Sequence, residues 1–318
     1  MSNVKQLYYP PILQRLINFL YRTPKSKLKT YKRFGGYYNY QKVINGNKQM
    51  KRAAYKLPIS PSYADGLPVY FLTGKKYIHQ TLFCISSLLK VSTERFHFVL
   101  IDDGTFTPAI ADLISTKLPG ATIVTNDQIN TNLEKHLPAD KYPVLHHKRS
   151  VYPHIKKMLD VHTAGISDWK LVLDSDMLFW KEPKAMINWL KNPDSPLHMV
   201  DTVNSYGYSP ALMHELCGSE IPKLINVGAI GLNTTTLNWD AIEFWVKTLE
   251  EKEGTSYYLE QALSAMLIGQ TPSVVLDKDD YKVNPSAADL QQTANTLHHY
   301  VDLSKEIYLK NAWKLIHE

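Results

Sequence analysis

Two carboxylates stand two residues apart in Leu171-Val172-Leu173-Asp174-Ser175-Asp176-Met177, immediately after an apolar run. In extended chain the side chains of residues i and i+2 project to the same side, so Asp174 and Asp176 confront each other. Like charges that close raise one another's pKa unless a cation lies between them. Hard oxygen ligands at an open, hydrated position suit Mg²⁺ or Mn²⁺, commonly shared between one or two protein carboxylates and substrate phosphates. The plainer alternative is a solvated Asx turn closing a strand. A D-x-D sequence alone does not choose between them.

The elements that must position this pair follow a regular pattern from Pro68 onward. Pro68–Thr73 is a short apolar run ending at Gly74, a buried strand by length and flanks. The pattern predicts a helix over Gln80–Lys90, then a strand over Phe96–Ile101 that ends in Asp102-Asp103-Gly104. Pro108 opens another helix, Ala121–Val124 reads as a strand, Val151–Val161 as a helix, and Lys170–Leu173 as the strand that delivers Asp174. Strands alternating with helices imply an α/β fold whose central sheet is mostly parallel, with helices on both faces. Ligands of such sheets bind at the carboxyl ends of the strands, which is where the acidic groups fall.

The chain of 318 residues is long enough for one large core or two smaller ones. Its net charge of +6 is unevenly placed, because residues 1–64 hold 13 Lys or Arg and no acid before Asp65. The other 254 residues carry 23 basic and 30 acidic groups, a net of −7. The expected organisation is a basic, Tyr-rich extension over 1–64 on an acidic body over 65–318. Within the extension, Pro11–Tyr21 sets Ile12, Leu13, Leu16, Ile17 and Leu20 at helical spacing, while Gly35-Gly36 and Pro58–Gly66 read as loop and linker. No apolar run approaches the length of a membrane span, and the N-terminus lacks the layout of a signal peptide. Cys84 and Cys217 fit no metal or redox spacing. Together these features predict a soluble cytoplasmic protein. His146, His147, His154 and His162 offer no zinc set, since no Cys or carboxylate joins them at ligand spacing.

Four stretches resemble the GT-A (Rossmann-like) glycosyltransferases, and more narrowly the family-8 enzymes, the glycogenin-like and lipopolysaccharide hexosyltransferases. Leu173-Asp174-Ser175-Asp176 is similar to that family's strand-end D-x-D, and Ile225-Asn226-Val227-Gly228-Ala229 to its F-N-x-G strand beside the donor sugar. Leu259-Glu260-Gln261-Ala262-Leu263 resembles its acidic-Gln helix on the acceptor side. His299, with Lys305 six residues later, resembles its metal-binding His and diphosphate-binding Lys. The Gly and Pro-Trp that normally flank that Lys are replaced here by Asp302 and Glu306-Ile307, and His298 competes with His299.

The resemblance implies a metal-dependent transferase that moves a sugar from a nucleotide diphosphate to a glycan or lipid-linked glycan. Asp174, Asp176 and His299 would hold Mn²⁺ or Mg²⁺, and a UDP-sugar is the favoured donor. Donor contacts would come from Asp102, Asp103, Arg149, Tyr152, Lys156, Ser175, Asn226, Gly228 and Lys305, besides Thr73 and Tyr77. The family implies retention, with the departing diphosphate taking the acceptor proton and Glu260 or Gln261 supporting the sugar. An inverting enzyme would need a carboxylate base, for which Glu260 and Asp201 stand available.

Two rivals stay open. A haloacid-dehalogenase-like phosphatase would use Asp174 and Asp176 with the acidic run Asp277-Lys278-Asp279-Asp280. An inactive sugar-nucleotide-binding scaffold would keep the site without turnover. The basic extension suits packing against the acidic body, or an anionic membrane surface at its cytoplasmic face. No nucleic-acid recognition module is visible, so no nucleic acid partner is expected.

Overall fold

The structure, a computed structural model, describes residues 23–317. The apolar stripe expected over Pro11–Tyr21 lies outside them. Seven strands form the central sheet: β1 (Leu67–Thr73), β2 (Phe96–Asp102), β3 (Thr122–Val124), β4 (Trp169–Leu173), β6 (Leu197–Val200), β7 (Ile225–Asn233) and β8 (Val274–Val275). Their order is β3-β2-β1-β4-β7-β6-β8. All neighbours pair in parallel except β7, which runs antiparallel to β4 and β6. The expected mostly parallel α/β sheet is thus present.

Both faces of this sheet are covered, which explains why its strands read as unbroken apolar runs. Alternate residues feed opposite cores. Val69, Phe71, Phe98, Leu100, Leu171 and Leu173 pack into one, whereas Tyr70, Val99, Ile101 and Val172 pack into the other. The first core also takes the helix Ile78–Val91 and the C-terminal residues Tyr308, Ala312 and Trp313. The second takes the helices Trp239–Glu253 and Leu259–Ile268.

A second, three-stranded sheet joins β5 (Met177–Phe179), β10 (Leu297–His299) and β9 (Tyr281–Val283) in the order β5-β10-β9. It decides the geometry of the site. The antiparallel pair sets His299 opposite Met177, so a residue near the C-terminus lands beside the D-x-D turn.

Two differences from the sequence pattern matter. The helix expected over Val151–Val161 is two helices, Pro143–Val151 and Lys156–His162, separated by a 3-10 turn at Pro153–Ile155. Pro153 disfavours helical conformation at Tyr152 and supplies no N–H, so the chain turns there and the second helix starts with a new phase. The extension also holds more regular structure than its charge suggested. Helix α1 (Thr23–Arg33) and helix α2 (Tyr37–Ala54) meet at Gly35-Gly36, both at positive φ. Val43, Gly46, Met50 and Ala54 of α2 are buried at helical spacing, and Met50, Ala54 and Leu57 join the first core.

Candidate metal and donor site

Asp174 and Asp176 leave the carboxyl end of β4 on either side of Ser175. The turn is tied to the sheet from two directions. Asp174 N–H donates to Gly228 O at 2.7 Å, and Tyr300 N–H donates to Asp176 O at 2.9 Å. Beneath it runs a chain of hydroxyls: Ser175 Oγ lies 2.8 Å from Thr81 Oγ1, which lies 2.7 Å from Thr73 Oγ1. Thr73 is fully buried, so its hydroxyl is spent in supporting the turn.

His299 reaches this pair through its Nε2, 3.6 Å from Asp174 Oδ2 and 3.4 Å from Asp176 Oδ1. That nitrogen is buried without a hydrogen-bond partner. Its tautomer follows from the neighbours. Asn226 Nδ2 donates to Asp201 Oδ2 at 3.0 Å, which leaves Asn226 Oδ1 as an acceptor for Gly228 N–H at 3.0 Å and for His299 Nδ1 at 3.1 Å. Nδ1 therefore carries a proton in either charge state of the ring, and Nε2 is the nitrogen that faces the carboxylates, the arrangement that orients metal-ligating histidines. Gly228 makes the approach possible, because a Cβ there would come within 2.1 Å of His299 Cε1. The three side chains form the one acid-and-imidazole cluster suited to a metal among the described residues. His298, the competitor, points away: its Nδ1 meets Tyr300 OH and its Nε2 meets Asn295 Oδ1.

Two lysines flank the cluster. Lys305 Nζ lies 3.0 Å from Asp176 Oδ2 and its side chain is nearly half exposed. Lys157 is buried and donates to Asp174 Oδ1 at 2.8 Å and to Val227 O, with Glu260 Oε1 at 3.6 Å. Burial alone would raise both aspartates, but Lys157 and His299 hold Asp174 below the usual carboxylate range. Lys305 and His299 do the same for Asp176. Burial lowers His299, yet the two carboxylates outweigh it and lift the imidazole to about 9. Glu260 moves up to about 7 because burial outweighs the attraction of Lys157.

Lys157 was not among the residues singled out from sequence; its neighbour Lys156 was. The break at Pro153 sets the start of the helix Lys156–His162, in which every residue from Lys157 to His162 is buried and Lys156 is not. With the whole run buried, helical spacing in the sequence does not single out Lys157. Lys156 instead donates to Asp103 O at 2.7 Å, beside the loop where Asp102 Oδ1 accepts from the N–H groups of Gly104, Thr105 and Phe106. Asp103 is packed against Gly74, where a Cβ would overlap its carboxylate. Tyr77 is partly exposed, with Lys76 Nζ 5.0 Å from its ring centre.

The remaining candidates hold one another. Arg149 forms a two-point pair with Asp160, Nε at 2.6 Å from Oδ1 and Nη2 at 3.0 Å from Oδ2. Tyr152 OH donates to Tyr257 O at 2.6 Å and accepts from Glu260 N–H at 3.3 Å. Gln261 Nε2 donates to Ile225 O at 2.6 Å and to Asp201 Oδ2 at 3.2 Å, and Asp201 Oδ1 accepts from Thr202 N–H at 2.7 Å. The departures around Lys305 also have partners: Asp302 pairs with Arg33, and Glu306 accepts from Asn39 and Lys310. The acidic run that a phosphatase would need is elsewhere, where Asp277 Oδ1 accepts from Asp279 N–H and closes its own turn.

No family model and no curated protein matches the sequence. Solved structures do match it. The galactosyltransferase LgtC in complex with donor and acceptor sugar analogues aligns at TM-score 0.50 and 13% identity, over 78% of this chain and 95% of that one. Mouse xyloside xylosyltransferase 1 in its apo form gives 0.47 and 12%, over 75% and 97%. GlyE of Streptococcus pneumoniae TIGR4 gives 0.44 and 12%, over 79% and 62%. The first of these speaks to fold alone. The chain has the GT-A glycosyltransferase fold of that galactosyltransferase.

Proposed function

We propose that this protein is a divalent-metal-dependent glycosyltransferase. It moves a sugar from a nucleotide diphosphate, with UDP-sugar the favoured donor, to a hydroxyl of a glycan or lipid-linked glycan, with retention at the anomeric carbon. One observation carries the reading. His299 presents a buried Nε2, which makes no geometric hydrogen bond, to two converging carboxylates. Two hard oxygens and one imidazole suit Mn²⁺ better than Mg²⁺. Asp174, Asp176 and His299 would hold the ion, whose contribution when bound is to neutralise charge on the departing diphosphate.

The chain's own groups supply the rest. Lys305, on the solvent side of Asp176, can turn its ammonium to a phosphate oxygen and stabilise the leaving group as a point charge. Lys157 keeps Asp174 ionised and pinned to the backbone of Val227. Glu260, which burial raises to about 7, can donate to a sugar hydroxyl when protonated or accept from one when ionised. Both oxygens of Asp201 already accept hydrogen bonds, which favours proton transfer to the leaving diphosphate over inversion with Asp201 as base.

A donor panel of UDP-, GDP- and CMP-sugars with Mn²⁺, using Asp174→Asn as control, tests this. Donor turnover is expected with a nucleotide diphosphate and is lost in the control. Turnover undiminished in Asp174→Asn, or hydrolysis of simple phosphate monoesters in its place, defeats the reading.

The protein also docks, on this reading, on anionic membrane through its extension. Lys29, Lys32, Lys42, Lys48, Lys51 and Arg52 are exposed along α1 and α2, with Tyr37 and Tyr38 exposed beside them. No helix of the described residues is long and apolar enough to cross a membrane. Because α2 carries core residues, neutralising Lys42, Lys48 and Lys51 to Gln is a cleaner test than deleting the extension. Sedimentation with phosphatidylserine vesicles should fall in that variant, and unchanged sedimentation refutes the membrane contact.

A further inference from the structure

Lys305 opens a helical turn, Lys305–Ile307, that follows a 3-10 turn at Asp302–Ser304 and runs directly into the π-helical stretch Tyr308–Ala312, whose Tyr308 and Ala312 are buried in the first core. The core anchors the far end of this segment, while its start, where Lys305 stands, is held by polar contacts made from outside it. Those contacts come from the other end of the chain. Asp302 sits at φ 47, a left-handed conformation uncommon for a residue with a side chain, and its carboxylate pairs with Arg33 at the end of α1. Glu306, next to Lys305, accepts from Asn39 Nδ2 at 2.7 Å and from Lys310 Nζ at 2.9 Å. Lys310 donates in turn to Asn39 Oδ1 at 2.8 Å, and Asn39 Nδ2 also donates to Phe34 O at 2.8 Å. Every polar group of the Asn39 amide is thereby used.

Arg33 and Asn39 flank the Gly35-Gly36 corner, whose φ values of 70 and 108 favour glycine. That corner lets two successive helices face one C-terminal segment. Further along α2, Gly46 lies so close to Leu309 O that a Cβ would come within 2.0 Å of it. The pair Arg33–Asp302 is half exposed on both sides and is worth little by itself. Asn39, Glu306 and Lys310 are mostly shielded and form a closed network that does more.

We propose that the α1–α2 corner is a clamp that fixes the reach of Lys305 toward the leaving diphosphate, with Asn39 as its main positioning residue and Arg33 as a lesser one. The proposal rests on the reading of the cluster as a nucleotide-diphosphate site. It gives the basic extension a part in the reaction that does not depend on a membrane.

The test compares titrations of Mn²⁺ alone, and of UDP and GDP with Mn²⁺ present, in the parent protein and in Asn39→Ala, Glu306→Ala, Glu306→Gln and Lys305→Ala. Asn39→Ala and Glu306→Ala should weaken binding of whichever nucleotide the parent takes by about 3- to 10-fold, the range of one ordinary hydrogen bond and so a partial loss of the contact that Lys305 makes. Affinity for Mn²⁺ alone should not fall, which general damage to the fold would cause. Glu306→Gln, which keeps an acceptor for Asn39, should restore most of the loss. In a Lys305→Ala background the Asn39→Ala effect should disappear. Weakening by Lys305→Ala but not by Asn39→Ala overturns the clamp alone, as does an Asn39→Ala effect that persists without Lys305. If the parent binds neither nucleotide in an Asp174-dependent way, the functional reading fails first and the clamp's role with it.

Discussion

Replacing Gly228 by alanine tests the centre of the site, because one methyl group bears on the imidazole that completes it. The added Cβ would stand 2.1 Å from His299 Cε1, 2.4 Å from its Nδ1 and 2.7 Å from Met177 Cε. Touching carbon atoms need about 3.5 Å, so the ring must withdraw by ~1.4 Å. It has little room to do so. His299 is on β10, paired on one side to β5 and on the other to β9, and its Nδ1 is bonded to Asn226. A shift of that size breaks the Asn226 bond and with it the tautomer that presents Nε2. Overpacking of this kind costs about 1–3 kcal/mol of stability. Loss of a ligand's orienting partner typically costs roughly 10- to 100-fold in metal affinity. Isothermal titration with Mn²⁺ and urea denaturation read the two effects separately. The double variant Gly228→Ala/His299→Ala supplies the decisive comparison: with the ring gone only the flexible end of Met177 has to yield, so the stability cost of the methyl should fall sharply in that background. Gly228→Ala with parental Mn²⁺ affinity, or a stability cost that is the same with and without the imidazole, would refute the steric argument.

Three further outcomes are expected. Lys157→Met should destabilise the apo protein by about 2 kcal/mol, less than the 3–5 for a fully buried pair because Asp174 is one-third exposed, and added Mn²⁺ should recover part of the loss in a thermal melt. Mn²⁺ affinity should rise from pH 6 toward 9, by up to about tenfold per unit, because the ion competes with the proton that the carboxylates hold on His299; in His299→Gln this slope should flatten, and a slope that persists there contradicts the assignment. Arg149→Met leaves Asp160 buried at 0% exposure without its cation and should cost about 3 kcal/mol in urea denaturation, with Asp160→Asn restoring part of it. Full stability with weakened UDP binding in Arg149→Met would instead mark Arg149 as a donor contact.

The sequence by itself determined what local periodicity encodes. Both-faced apolar strands such as Val69–Thr73 and Phe98–Ile101, and the D-x-D that ends β4, could be placed before any coordinates, because alternation and strand-end polarity act over a few residues. The spacing of His299 and Lys305 was visible as a resemblance, and the structure brings both to the D-x-D turn. Tertiary structure alone decided which nitrogen His299 presents, since that follows from an Asn226 amide oriented by Asp201, on segments separated widely in sequence. It also chose Lys157 over Lys156, because a proline reset the helix phase by an amount that periodicity across 151–161 could not register. The basic extension is the clearest case. Its charge was plain from the sequence, but its contacts with Asp302, Glu306 and Leu309 depend on pairing the two ends of the chain, and nothing local in either segment specifies that pairing.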